Sequence, residues 1–162
     1  MPRKSKKRTK GSQPSYLDPL DSVGYLSRLN FRAFSTELEK LTSLHGVSAG
    51  QWRFLRVLWE ADDITQRELS DRVVIKEATT VRAIDGLVKA GLVVRHRNQK
   101  DRRKINIKLT RKARMLERRL LPMVSEVNER ALRGLSRADI DTTRRVLIHT
   151  YRNLIADDEE TR

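Results

Sequence analysis

Apolar residues recur at helical spacing at both ends of this chain, whereas between residues 92 and 109 period two sets in on either side of a polar tip. From Leu20 to Leu44 the run Leu20, Val23, Leu26, Leu29, Phe34, Leu38, Leu41, Leu44 predicts one long helix, weakened at its start by Gly24. Residues 111–134 return to that spacing with Met115, Leu116, Leu120, Val124, Val127 and Ala131, and Pro122 inside the run predicts a kink or a break. A last helix is expected from about 137 to 156, carrying Ile140, Val146, Leu147, Tyr151 and Leu154. The acidic tail 157–162 behind it is expected to fray.

Three helix starts are marked by a repeated signal. Ser48-Ala49-Gly50-Gln51, Thr65-Gln66-Arg67-Glu68 and Ser136-Arg137-Ala138-Asp139 each place a hydroxyl three residues before a side chain that can reach back to it, with apolar residues flanking the cap. They predict starts near 49, 66 and 137. Helix 48–60 should bury Trp52, Leu55, Val57 or Leu58, and Trp59; residues 61–64 read as a connector; helix 66–73 should turn Leu69 and Val73 inward. A further helix near 76–90 ends at Gly91, a C-terminal cap residue, with Thr80, Ile84 and Leu87 on one face and Thr79, Arg82, Asp85, Gly86 and Lys89 on the other. Then period two sets in. Leu92, Val94 and His96 face one way and Val93, Arg95 and Arg97 the other; Ile105, Ile107 and Leu109 answer between Lys104, Asn106 and Lys108, which makes a β-hairpin.

Helix, turn, helix and basic hairpin in that order form a winged helix-turn-helix, so the expected fold is mainly α with a small β-hairpin wing. The wing, 95–104, holds Arg95, Arg97, Lys100, Arg102, Arg103 and Lys104 against Asp101 alone, six cations to one acid. Such side chains neutralise phosphates or enter a narrow minor groove. Asp101 either holds a neighbouring guanidinium or simply forms the turn. On the second helix Lys76, Thr79 and Arg82 point outward, where Thr can meet a thymine methyl and Arg a guanine or a phosphate. Thr65, Gln66 and Arg67 open the first helix, whose N–H groups either meet a phosphate or are used in capping alone.

Composition narrows the classes. Length 162 suits one domain with appendages, and 38% hydrophobic against 35% charged residues implies long solvated helical faces over a modest core. A net charge of +14 favours a polyanionic partner. Residues 1–15 hold Arg3, Lys4, Lys6, Lys7, Arg8 and Lys10 without a hydrophobic pattern, and read as a disordered basic arm, with or without DNA contacts of its own. Without cysteine there is no disulfide, thiolate zinc site or thiol switch, and His45, His96 and His149 show no ligand spacing, so no metal and no cofactor is expected. No segment reads as a signal peptide or membrane span, so the expected location is the cytoplasm, with no membrane partner. No phosphate loop, paired catalytic carboxylates or nucleophile elbow appears, and the chain reads as a non-enzyme.

The segments Thr65-Gln66-Arg67-Glu68-Leu69, Lys89-Ala90-Gly91-Leu92-Val93, Asp101-Arg102-Arg103 and Leu109-Thr110, in this order, resemble the MarR family of bacterial transcription regulators. The order of elements matches the family from about 20 to 156. The resemblance implies an obligate homodimer on double-stranded DNA, each recognition helix and wing meeting half of a near-palindromic operator. Residues 16–47 and 111–156 would then be dimerisation helices and 48–110 the DNA-binding domain, in keeping with apolar stripes that one chain cannot cover alone. It also implies a repressor that releases DNA when a small anionic effector, aromatic or phenolic, binds between these regions. Arg28, Arg32, His45, Trp52, Arg53 and Arg56 are the candidate contacts, although Trp52 reads first as core and the arginines also as solvated surface. The lack of cysteine sets the chain apart from the family's thiol-based peroxide sensors. Three positions depart from the family pattern: Val74 where Gly is frequent, Thr80 on an otherwise aliphatic buried face, and Lys76-Glu77-Ala78-Thr79 in place of a strong cap. The alternative function is a general nucleic-acid-binding or architectural protein with little sequence preference.

Overall fold

A computed structural model describes residues 18–160, and side chains through 156. The basic arm 1–15 and the side chains of the acidic tail lie outside the described residues. Six helices and three short strands follow in the order α1 (Val23–Thr42), α2 (Ala49–Glu60), β1 (Ile64–Thr65), α3 (Gln66–Val73), α4 (Glu77–Lys89), β2 (Val93–Arg97), β3 (Ile105–Leu109), α5 (Arg111–Ala131) and α6 (Arg137–Glu160).

The three expected starts fall where the capping signals place them. Ser48 with Gln51, Thr65 with Glu68 and Ser136 with Asp139 each exchange hydrogen bonds in both directions. The long N-terminal run is shorter than its apolar pattern. Leu20 lies in a 3-10 turn closed by Asp18, Ser22 caps α1, and Leu44 lies in a second 3-10 turn that ends at Gly46. Pro122 does not break α5. Its lost hydrogen bond and ring clash cost about 3 kcal/mol, but Leu116 and Leu120 before it and Val127 after it are all buried and hold both halves in place. At the C-terminus α6 continues to Glu160, beyond the expected end at 156.

The connector contains a strand that the sequence pattern does not announce. β1 pairs antiparallel with β3, Ile64 against Ile107 and Thr65 against Asn106, giving a three-stranded sheet in the order β1-β3-β2. Across the hairpin, Val93 pairs with Leu109, Arg95 with Ile107 and Arg97 with Ile105. Val93, Ile107 and Leu109 are buried, whereas Val94 is exposed.

The core lies within this winged unit. Val47, Phe54, Leu55, Leu58, Leu69, Ile84, Leu87, Leu92, Val93 and Ile107 form one cluster, which extends past 110 to Ala113, Leu116 and Leu120 of α5. Trp52 packs edge-on against Trp59 at 5.4 Å, and the Trp59 indole N–H donates to the Ala113 carbonyl. Phe54 is a core residue that the apolar pattern does not single out, and Met115, counted in the apolar run, is exposed. By contrast, α6 contributes nothing to this core: Val146, Leu147, Ile148, Tyr151 and Leu154 are all exposed. No helix among the described residues is long and apolar enough to cross a membrane.

Candidate nucleic-acid interface

Recognition-helix geometry starts at the turn between α3 and α4. Val74 closes α3 in the left-handed region (φ 57°, ψ 50°), its N–H bonding back to Ser70 and Asp71. A β-branched side chain is strained there, so the departure from Gly seen in the sequence carries a conformational cost. The second departure compensates in part. Thr80 is fully buried, its Oγ1–H donating to Ser70 Oγ at 3.1 Å, and Ser70 donates in turn to the Ile75 carbonyl at 2.6 Å. This hydroxyl relay ties α3, the turn and α4 together. The third departure is also present: Lys76 precedes α4 without a side-chain cap. With Thr80, Ile84 and Leu87 buried beneath, Lys76, Thr79 and Arg82 are exposed on the outer face.

At the start of α3, the Thr65 hydroxyl and N–H both bond Glu68, which holds the Glu68 carboxyl below its usual range. Thr65 is therefore engaged in capping. Gln66 is half-buried and Arg67 exposed. In the wing, Arg95 turns toward α4, pairing with Asp85 at 2.7 Å and donating to the Val81 carbonyl at 3.3 Å. Asp101 both forms the turn and holds a guanidinium. Its Oδ1 accepts from the Arg103 N–H, and its two oxygens accept from Arg103 Nε and Nη2 at 3.1 and 3.3 Å. Those bonds from Arg103 lower the Asp101 carboxyl's pKa. Arg97, Lys100 and Arg102 are exposed and have no carboxylate partner among the described residues, and the exposed Lys104 forms no close ion pair there but acts electrostatically on Glu68 and Asp101. Together these residues make a protruding cationic hairpin beside an exposed polar helix face.

A cluster that the sequence pattern does not reveal anchors that hairpin. Asp62 accepts from the Leu109 N–H at 2.8 Å and pairs with Arg114 at 2.6 Å. Asp63, itself left-handed (φ 58°), meets Asn106, His96 and Lys108. The Asn106 amide, followed by His96, holds the Asp63 carboxyl below its usual range against the opposing effect of burial. In the sequence Asn106 is only one of the polar residues that alternate with Ile105, Ile107 and Leu109, and nothing marks it as buried.

The effector candidates separate into two groups. Trp52, Arg53 and Arg56 line a cleft of 460 Å³, facing Phe31, Phe34 and Leu38 of α1, Val73 of α3, and Val124, Val127 and Asn128 of α5. Trp52 is also buried core, and Arg53 and Arg56 are exposed. Arg28, Arg32 and His45 do not line the cleft; Arg28 stacks on the Tyr25 ring at 5.2 Å.

Comparison with known proteins agrees with this geometry. The family model described as "MarR family" matches residues 47–105, the winged unit from the end of the first helical segment to the wing. The crystal structure of a MarR transcriptional regulator from Methanosarcina mazei Go1 is 32% identical, covering 83% of this chain and 97% of that one at a TM-score of 0.75. This chain belongs to the MarR family. As a MarR-family protein it is a DNA-binding transcriptional regulator. Among curated MarR-type relatives, the HTH-type transcriptional regulator TtmR of Methylorubrum extorquens (strain PA1) is 31% identical over 85 residues, 52% of this chain and 44% of that protein. This match therefore spans about half of the relative's length. A MarR family regulator from Listeria monocytogenes, solved in complex with a 26mer DNA, shares the fold at a TM-score of 0.78 and 24% identity, covering 84% of this chain and 91% of that one.

Proposed function

We propose that this MarR-family regulator is a homodimeric repressor of a near-palindromic operator, released by a small anionic aromatic or phenolic effector. Lys76, Thr79 and Arg82 of each α4 read base edges in the major groove. Gln66, Arg67, Arg97, Lys100, Arg102, Arg103 and Lys104 take the phosphates or the minor groove alongside. Thr65 caps α3, Asp101 aims Arg103, and Arg95 serves as the strut between wing and α4. The exposed apolar row of α6, with Phe31 and Val23 of α1, is the surface that a second copy covers.

The observation that carries the reading is the position of the 460 Å³ cleft. Its walls come from α1 and α5 on one side and from α2 and α3 on the other. A ligand seated there on Phe31, Phe34 and Trp52, with its anionic group toward Arg53 and Arg56, changes how the DNA-reading unit sits on the helices that pair the protomers. Differential affinity for the two arrangements is what a release mechanism requires. Titrating a panel of aromatic carboxylates and phenols into a preformed complex with operator DNA tests it. Release by at least one compound, lost in Arg53→Ala/Arg56→Ala while DNA affinity stays, supports the reading. Release that survives the double substitution contradicts this cleft as the effector site.

A further inference from the structure

The wing tip, residues 98–104, projects beyond the sheet with every residue exposed or half-buried. Apolar packing does not hold it. Backbone hydrogen bonds close it on itself, Asn98 N–H to the Lys104 carbonyl at 3.0 Å and Lys104 N–H to the Asp101 carbonyl at 2.9 Å, and a polar side-chain relay that begins in the helix-turn-helix body ties it down. Asn106, 7% exposed at the centre of the sheet, donates through Nδ2 to the Asp63 carbonyl at 2.8 Å and to Asp63 Oδ1 at 3.0 Å. Its Oδ1 accepts from Asn98 Nδ2 at 2.9 Å. Asn98 Oδ1 then accepts from the N–H groups of Lys100 and Asp101, at 2.9 and 3.0 Å. Asp101 completes the path by accepting from Arg103. Amides suit both middle positions. Each must accept from the tip side and donate toward the body, which a carboxylate or a hydrocarbon cannot do. Asp63 fits the other end, since it presents acceptors only and is held in place by His96 as well.

We propose that Asp63, Asn106 and Asn98 are positioning residues for the wing: they fix Arg103 and its neighbours relative to α4, so that wing and recognition helix meet DNA as one rigid unit. This rests on the reading that the wing contacts DNA. An unanchored tip must be ordered on binding, and the entropy lost in ordering it offsets the attraction between its cations and the phosphates.

A double-mutant cycle on the full-length protein tests the relay, using anisotropy on one operator duplex across a salt series. Asn106→Thr keeps a strand-forming residue but cannot bridge Asp63 to Asn98, and Asn98→Ser keeps a turn acceptor too short to reach Asn106. Loss of one phosphate contact lowers the salt slope by about 0.9, which is about fivefold in affinity near 0.15 M salt. Arg103→Ala should show that loss in the wild-type background. Either relay substitution alone should show most of it, and Arg103→Ala added to it should cost less than about twofold more. Arg82→Ala should cost the same in both backgrounds. A relay variant that merely loosened the fold would lower the melting temperature and leave the salt slope unchanged, which overturns the proposal. So does a full, additive cost of Arg103→Ala in both relay variants. If Arg103→Ala has no effect in the wild type, the wing reading itself fails, and the proposal falls with it. Should Asn106→Thr not fold, Asn98→Ser at the exposed tip decides alone.

Discussion

Substituting Ser70 should harm this protein more than its size suggests, and a second substitution should repair part of the harm. Ser70→Ala removes the donor to the Ile75 carbonyl and the acceptor for Thr80 Oγ1. Thr80 is 0% exposed, so its hydroxyl gains no water in exchange. An unpartnered buried polar group costs about 1–3 kcal/mol and a lost hydrogen bond about 1, so Ser70→Ala should cost about 2–4 kcal/mol. Thr80→Val exchanges the hydroxyl for a methyl of similar volume. It loses about 1 kcal/mol of hydrogen bonding, gains about 0.8 from the buried methyl, and leaves Ser70 bonded to Ile75, so it should be nearly neutral. In the double variant only the Ser70–Ile75 bond is missing. Adding Thr80→Val to Ser70→Ala should therefore restore about 1–3 kcal/mol. Urea unfolding at one fixed protomer concentration, followed by the fluorescence of Trp52 and Trp59, reads this out. Costs that add within about 0.5 kcal/mol, or a double variant less stable than Ser70→Ala, would refute the relay as the tie between α3 and α4.

Val74 offers a gain in stability. Its left-handed backbone costs about 1–2 kcal/mol, Asn tolerates that conformation, and the side chain is 67% exposed, so Val74→Asn should stabilise by about 0.5–1 kcal/mol in the same urea assay; a lower midpoint would argue against strain at this turn. Acid should weaken the fold. The carboxyls of Glu37, Asp63, Glu68 and Asp101 are all depressed by hydrogen-bonding partners, Lys40 first for Glu37, Asn106 for Asp63, Thr65 for Glu68 and Arg103 for Asp101. Their stabilisation is complete above the unfolded values of about 3.9 for Asp and 4.3 for Glu, and is lost as pH falls through the lower folded values. The urea midpoint should fall with pH below about 4.3, and less steeply in Asp63→Asn; a midpoint that rises on acidification through this window contradicts the assigned bonds.

Most of the fold is legible in the chain because its local signals agree. Ser48, Thr65 and Ser136 cap helices where their spacing says, and Gly91 adopts the left-handed conformation (φ 68°) that a residue ending α4 needs. The failures share a physical cause, contacts between residues distant in sequence. Two residues, Ile64 and Thr65, are too short a run to show period two, and become a strand only because β3 lies beside them. Of the kink or break that Pro122 predicts, the break is absent, because buried residues on both sides hold α5 together. The outward residues of α4 and the wing cations can be found from periodicity and charge. The relay from Asp63 to Asn98 cannot, since its members are 43 and 8 residues apart along the chain. Arg95 shows the same limit of pattern reading: its charge suggests a phosphate, but the folded chain supplies Asp85. Arg28, Arg32 and His45 look as suitable in the sequence as Arg53 and Arg56, yet Arg28 and Arg32 on α1 and His45 in the turn after it do not line the cleft, whereas Arg53 and Arg56 on α2 do.

The central claim is that this winged unit reads sequence rather than charge alone. Selecting duplexes from a random library with the purified protein, then comparing the winner with a scrambled duplex of equal length by fluorescence anisotropy at about 0.15 M salt, tests it most directly. The account predicts enrichment of a near-palindromic site whose half-sites lie about one helical turn apart, bound about 10³-fold or more tightly than the scrambled control. Failure to enrich any site, with equal affinity for both duplexes, would contradict it and leave the +14 charge as the sole basis of DNA binding.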